Sequence, residues 1–211
     1  ALAPSFTALS AVREAISTSP VRLAAQDLFW EGEGAFTGEV SPTMLQELGV
    51  TYALVGHSER REHLGETDQM VNRKVLAALR GDLRPVVCVG EQETARASGR
   101  AASVVRAQVL HALQGVLPAS AGKIAISYEP TGAIGTGQAA SLGDISEMHS
   151  LIREAMSTIL GDAAREVRVL YGGSVSPSNI KALMEAPGID GVLVGGASLR
   201  EAEFTRIAAY G

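Results

Sequence analysis

Six short apolar runs, each ending in small or polar residues, constrain this chain more than anything else in it. They are "VRLAAQ" (21–26), "TYALVG" (51–56), "RPVVCVG" (84–90), "KIAISYE" (123–129), "VRVLYGG" (167–173) and "DGVLVGG" (190–196). They are rich in β-branched residues and lack the polar alternation of a half-exposed strand, so they read as strands buried on both faces, the mark of a parallel sheet. Between them lie helical patterns at 67–80, 94–116 and 144–160, with Thr67 and Asp144 as expected N-caps. The opening "ALAPSFTALSAVREA" reads as a strand end, a turn and a helix. Strands alternating with helices at this spacing predict βα units in one α/β domain spanning 1–211. No change of composition marks a linker.

The bulk numbers narrow the class. Across 211 residues, 46% are hydrophobic and 19% charged, which excludes a disordered chain. A net charge of -5 without a basic run argues against nucleic acid as a partner. No apolar stretch has the length of a membrane helix, and no signal peptide is legible at the start. Cys88, the single cysteine, permits no internal disulfide or thiolate metal cluster. The expectation is a soluble cytoplasmic protein without membrane contact.

In a parallel α/β domain the carboxyl ends of the strands face one way, and ligands bind there. His57 follows "TYALVG" and Glu129 closes "KIAISY", so both project onto one face. A carboxylate and an imidazole in one pocket suit proton transfer at carbon. The competing reading has Glu129 capping a neighbouring helix and His57 donating to a backbone carbonyl. Tandem glycines in "YGGS" (171–174) and "VGG" (194–196) let main-chain amides approach an anion at a helix N-terminus. After the last two strands of an eight-stranded barrel they would suit a phosphate, although tight turns use glycine too. His63, His111 and His149 lack metal-ligand spacing and read as surface positions. The arginines of "SERRE" (58–62) read as ion-pair partners, and Cys88 as a small core residue. The loop "DLFWEGEGAFTGEVSP" (27–42) is long for a compact domain and carries Trp30 and Phe36, which suggests a functional or interface element. The bland alternative is a surface excursion whose aromatics fold back on the domain.

In this order, "LVGHSERR" (54–61), "CVGE" (88–91), "YEPTGAIGTG" (128–137), "YGGSV" (171–175) and "GVLVGGASL" (191–199) resemble the hallmark segments of triosephosphate isomerases, and residues 25–42 resemble that family's interdigitating dimer loop. The resemblance implies a (β/α)8 TIM barrel and an isomerase of glycolysis and gluconeogenesis. It would interconvert dihydroxyacetone phosphate and D-glyceraldehyde 3-phosphate through an enediolate. It implies Glu129 as the base, His57 as the neutral electrophile, and Ser58 and Glu91 as their supports. Gly135, Ser174, Gly195 and Gly196 would hold the substrate phosphate, and the loop 130–137 would close as a lid. Neither cofactor nor metal is implied; a homodimer through loop 27–42 is.

Against the family pattern, the chain starts at the end of the second strand. The first strand, the first helix and most of strand two are absent, about 40 residues of a barrel of about 250. The family's asparagine–x–lysine motif is absent with them. Gly132 stands where tryptophan is usual in the lid, and Asp27 where asparagine is common. The alternatives are an isomerase of a four-carbon ketose phosphate and an inactive phosphate-binding relative.

Overall fold

A computed structural model describes residues 1–130 and 140–210 of the chain. All six apolar runs form strands: β1 (Ala24–Ala25), β2 (Tyr52–Val55), β3 (Arg84–Val89), β4 (Ala125–Tyr128), β5 (Arg168–Tyr171) and β6 (Gly191–Val192). They form one sheet in sequence order, and every pairing is parallel. A further parallel bridge joins Leu2 to Leu23, so the start of the chain runs alongside β1. The outer strands are the shortest. β6 has only β5 as a partner among the described residues, and β1 is flanked on its far side by that single bridge.

The sheet is buried on both faces, as continuous apolar strands require. Val55, Val87, Val89, Ile126, Val169 and Tyr171 are all fully or almost fully enclosed. Each such side chain removed from water contributes roughly 1.5–3 kcal/mol. The helices are α1 (Leu9–Ala15), α2 (Pro42–Glu47), α3 (Ser58–His63), α4 (Asp68–Arg80), α5 (Glu93–Ala97), α6 (Ala101–Ala112), α7 (Leu142–Leu160), α8 (Ile180–Glu185) and α9 (Glu201–Ala208). α4, α6 and α7 form the outer layer: each packs on the sheet, α4 lies against α6, and α6 lies against α7. Val71 and Val75 of α4, Val105 and Val109 of α6, and Ile145, Ile152 and Met156 of α7 supply the facing apolar stripes. Among the described residues no helix is long and apolar enough to cross a membrane.

Local signals explain the helix boundaries, with two corrections. Thr67 caps α4, its hydroxyl accepting the Met70 N–H at 3.3 Å. Asp144 does not cap α7; Ser141 does. The Ser141 hydroxyl accepts the Asp144 N–H at 3.1 Å and donates to the Asp144 carboxylate at 2.7 Å, which places Asp144 inside the first turn. The helical pattern at 94–116 is not continuous. The Ser98 hydroxyl bonds back to the Thr94 carbonyl, Gly99 adopts a φ of 70°, and the chain restarts as α6. Apolar periodicity on either side of that glycine masked the break.

Removing the α7 cap tests this assignment. Ser141→Ala is expected to lower stability by about 1 kcal/mol, read as a shift of the urea midpoint at an unchanged slope. An equal or larger loss from Asp144→Ala would return the cap to Asp144.

Candidate active site

Because every strand is parallel, β2 to β6 deliver their carboxyl ends to one side. Val55 leads through Gly56 to His57, Val89 through Gly90 to Glu91, Tyr128 directly to Glu129, and Tyr171 through two glycines to Ser174. The Glu129 main chain is fixed from both neighbours. Its N–H donates to the Val89 carbonyl at 2.8 Å, while the Tyr128 carbonyl accepts the Gly172 N–H at 2.8 Å.

His57 is the N-cap of α3. The Glu59 N–H points at its Nδ1 at 3.4 Å, so Nδ1 acts as an acceptor and the proton of the neutral ring sits on Nε2. Nε2 lies 3.9 Å from Glu129 Oε1. The other carboxylate oxygen, Oε2, accepts the Ser58 N–H at 3.1 Å. The carboxylate is 2% exposed, and Oε1 has no hydrogen-bond partner among the described residues. A buried acceptor left unmatched costs about 1–3 kcal/mol, so this oxygen is held ready at a stability cost. His57, Ser58 and Glu129 therefore converge, and the capping role weighed for Glu129 is realised only as its bond to the first amide of α3.

Glu91 approaches Glu129 from the end of the neighbouring strand β3. Its carboxylate accepts from Arg96 Nη2 at 2.6 Å and from the Tyr128 hydroxyl at 3.2 Å, and Arg96 also donates to that hydroxyl at 2.8 Å. Tyr128 is the residue before Glu129, so the three groups pin the strand end. Burial, then the Glu91 carboxylate, holds the Tyr128 phenol well above its usual range. Cys88 is fully buried as expected, and it also lies beside the base. Burial first and the Glu129 carboxylate second push its thiol far up, so it stays neutral.

The glycines divide into two kinds. At Gly172 a Cβ would sit 2.6 Å from Ser127 Oγ and 2.7 Å from Glu129 Cγ, and at Gly173 it would overlap the Tyr171 hydroxyl. Packing around the base demands glycine there. At Gly195 and Gly196 a Cβ would meet no atom of the described residues within 4 Å, and neither residue has a positive φ. Gly196 opens the 3-10 turn Gly196–Leu199. Ser174 lies in the turn after β5, where its carbonyl accepts the Asn179 side-chain amide at 2.9 Å. Gly135, Gly132 and nearly all of the expected lid lie outside the described residues.

Sequence reasoning missed three groups near this face. Arg61 donates to the carbonyls of Gly56 (2.8 Å) and Cys88 (3.3 Å), tying two strand ends together, and pairs with Asp68 at 2.6 Å. Buried charges surround Glu66. His149, read as a surface residue, is buried on α7. Its Nδ1 lies 3.0 Å from the Gly188 carbonyl and must carry the proton, while Nε2 has no partner among the described residues. Its ring meets Tyr128 edge-on at 6.0 Å. The apolar period of α7 passes through position 149 and was the available signal. His63 and His111 are exposed, as expected.

A family model described as triosephosphate isomerase matches residues 1–211. The triosephosphate isomerase of Chloroflexus aurantiacus is 51% identical over 208 residues, covering 98% of this chain and 83% of the relative. That of Citrifermentans bemidjiense is 49% identical over 210 residues, covering 99% and 84%.

The chain belongs to the triosephosphate isomerase family.

The crystal structure of triosephosphate isomerase from Bartonella henselae superimposes with a TM-score of 0.88 at 35% identity, covering 98% of this chain and 84% of that one. The six-stranded parallel sheet is thus a large part of the triosephosphate isomerase fold. Lys74 pairs with Asp27 and Glu66, Lys123 with Asp82, and Lys181 with Glu185.

His149 sets an expected pH dependence. Burial lowers its pKa below the usual 6.5, against the opposing pull of the Gly188 carbonyl. A depressed folded-state pKa gives stability that is complete above the unfolded value and is lost as pH falls towards the folded one. Urea midpoints are therefore expected to drop as pH goes below about 6.5, and less steeply in His149→Gln. Equal slopes in the two proteins would exclude His149 as the source.

Proposed function

We propose that this protein interconverts dihydroxyacetone phosphate and D-glyceraldehyde 3-phosphate, with Glu129 as base and His57 as electrophile. The observation that carries the assignment is the buried Glu129 carboxylate, with one oxygen free of hydrogen-bond partners among the described residues, 3.9 Å from the imidazole Nε2. A carbon acid is weak, so its proton moves only if the negative charge left behind finds a donor. Glu129 takes a proton from C1 of the ketose; the C–H electrons form a C1–C2 double bond, and the carbonyl oxygen becomes an enediolate oxygen. The Nε2–H of His57 is donated to that oxygen. The imidazole then takes the proton of the C1 hydroxyl, which makes C1 the aldehyde carbon, and protonated Glu129 delivers its proton to C2.

To reach substrate carbon, the carboxylate exchanges its bond to the Ser58 N–H for one to the substrate. Ser58 is thus the resting partner of the base, and Glu91, with Arg96, keeps the strand end rigid during the exchange. Ser174, Gly195 and Gly196 are the proposed phosphate contacts, joined by Gly135. That no described protein atom lies within 4 Å of a Cβ at 195 or 196 supports a role in close approach by a ligand. A (β/α)8 TIM barrel in a single domain, of which the described six-stranded sheet is a part, accords with the greater length of the relatives. No observation favours a four-carbon substrate or an inactive relative.

The same reading assigns a homodimer and a cytoplasmic location. The loop following β1 gathers Phe29 against Trp30 at 4.2 Å and against Phe36 at 4.8 Å, with the Arg73 guanidinium 4.7 Å from the Trp30 ring centre. Its aromatics fold on one another, yet Phe36 remains exposed. An aromatic cluster at a loop tip suits burial in a second subunit. Analytical sedimentation is expected to give a dimer at micromolar concentration, and a monodisperse monomer would remove the loop from that role.

Glu129→Asp retracts the base by one methylene. A misplacement of about 1 Å can cost on the order of 100-fold in turnover, with an unchanged circular dichroism spectrum. Near-full turnover in the isomerase assay would take the base role from Glu129.

A further inference from the structure

Three buried charged side chains and the partly exposed Arg60 form a cluster behind His57. Asp27 begins the long loop after β1, Arg60 lies in α3, Glu66 precedes α4, and Lys74 lies in α4. Lys74 Nζ donates to Asp27 Oδ1 at 2.6 Å and to Glu66 Oε2 at 3.0 Å. Arg60 donates from Nε to Glu66 Oε2 at 2.5 Å, and its Nη2 lies 2.8 Å from Asp27 Oδ2. The side chains of Asp27, Glu66 and Lys74 are all less than a tenth exposed. Two acids and two bases make the group neutral, which lets it sit out of water.

The remaining oxygen, Glu66 Oε1, accepts the Gly56 N–H at 2.9 Å. Gly56 immediately precedes His57 and has a φ of 76°. A Cβ there would press on Val71, Arg61 and the Cys88 carbonyl. On its other side the Gly56 carbonyl accepts Arg61 Nε at 2.8 Å. Both peptide groups of Gly56 are therefore pinned, and the helix that starts one residue past His57 is anchored through Arg60.

We propose that Glu66 is a positioning residue for the isomerisation, its carboxylate locked by Arg60, Lys74 and Asp27 so that it fixes the Val55–Gly56 peptide, from which the chain turns into His57, and hence the direction of the imidazole. This rests on the isomerase reading and deepens it. Glu66 touches no reacting atom; it acts through Gly56. Lys74 and Arg60 remove the rotational freedom of the carboxylate, and Asp27 holds those two cations from the opposite side. The two acids divide their roles. Burial raises the pKa of Asp27 despite the pull of Lys74. For Glu66 burial acts in the same direction but is outweighed by Lys74, Arg60 and the Gly56 amide, which keep it low and ionised.

Two variants of the full-length protein separate positioning from mere charge pairing. Glu66→Asp keeps the charge but withdraws the oxygen from Gly56. Glu66→Gln keeps the reach but removes the charge. Positioning predicts that Glu66→Asp lowers kcat about 10- to 100-fold with KM within about twofold. It also predicts a displaced His57 resonance in histidine-selective 15N NMR. Glu66→Gln turns an amide NH2 towards the Arg60 and Lys74 donors, so the lock fails and the same lowered kcat and displaced resonance are expected. Charge pairing alone predicts lower stability in both variants with kcat and the His57 resonance unchanged, and that result would overturn the proposal. Either variant decides alone if the other does not fold: an unmoved His57 resonance in a folded Glu66→Asp or Glu66→Gln protein is enough to reject it. The NMR measurement needs no turnover. An inactive wild type would therefore count against the isomerase reading and leave the positioning test intact.

Discussion

The parallel register from β2 to β5 is the constraint on which the site depends. Val55 pairs with Val87, Val89 with Tyr128, and Tyr128 with Tyr171. Those pairs set how far each strand advances before its chain turns. A slip of one residue would reverse the face of every side chain in the slipped strand. Glu129 would then point into the core rather than lie beside His57. The register is protected because both faces are packed: Val87, Ile126 and Val169 have no exposed alternative. Hydrophobic burial, which has no direction of its own, is converted by strand pairing into a placement good to a fraction of an ångström.

That conversion explains what was legible in the sequence. The six strands were readable because a doubly buried strand must be a continuous apolar run, and runs of this kind have few other uses. His57 and Glu129 were readable because a charged or titratable residue at the end of such a run is conspicuous. The cap of α7 was misplaced because Ser141 and Asp144 share one hydrogen-bonded ring, and the sequence does not say which member is outside the helix. His149 was misread because a histidine on an apolar stripe carries no mark of its burial; only the Gly188 carbonyl, 39 residues away in sequence, satisfies its proton.

The charged cluster escaped notice for a related reason. Asp27, Arg60, Glu66 and Lys74 span 47 positions, and each taken singly looks like an ordinary surface charge. Periodicity does not reveal that they meet, because their meeting is a product of the fold and not of any local pattern. Arg60 and Arg61 were expected to form ion pairs, and they do. Their hydrogen bonds to a buried carboxylate and to strand-end carbonyls reach further than the exposed pairs that such a motif normally makes.

Stability alone does not account for such a cluster. Taking four charges from water costs several kcal/mol per ion, and well-packed apolar side chains of equal volume are often as stabilising or more so. An apolar contact, however, tolerates rotation about its own axis, and it cannot tell a peptide N–H from a carbonyl. A carboxylate held by two cations presents its last oxygen in one direction only. Where the task is to keep an imidazole aimed at one substrate atom, direction is worth more than the energy it forgoes. The same reasoning covers the Glu91–Arg96–Tyr128 group beside the base. Both groups that flank His57 and Glu129 are ionic, both are fixed to main chain or strand end, and the apolar core is left to hold the sheet that carries them.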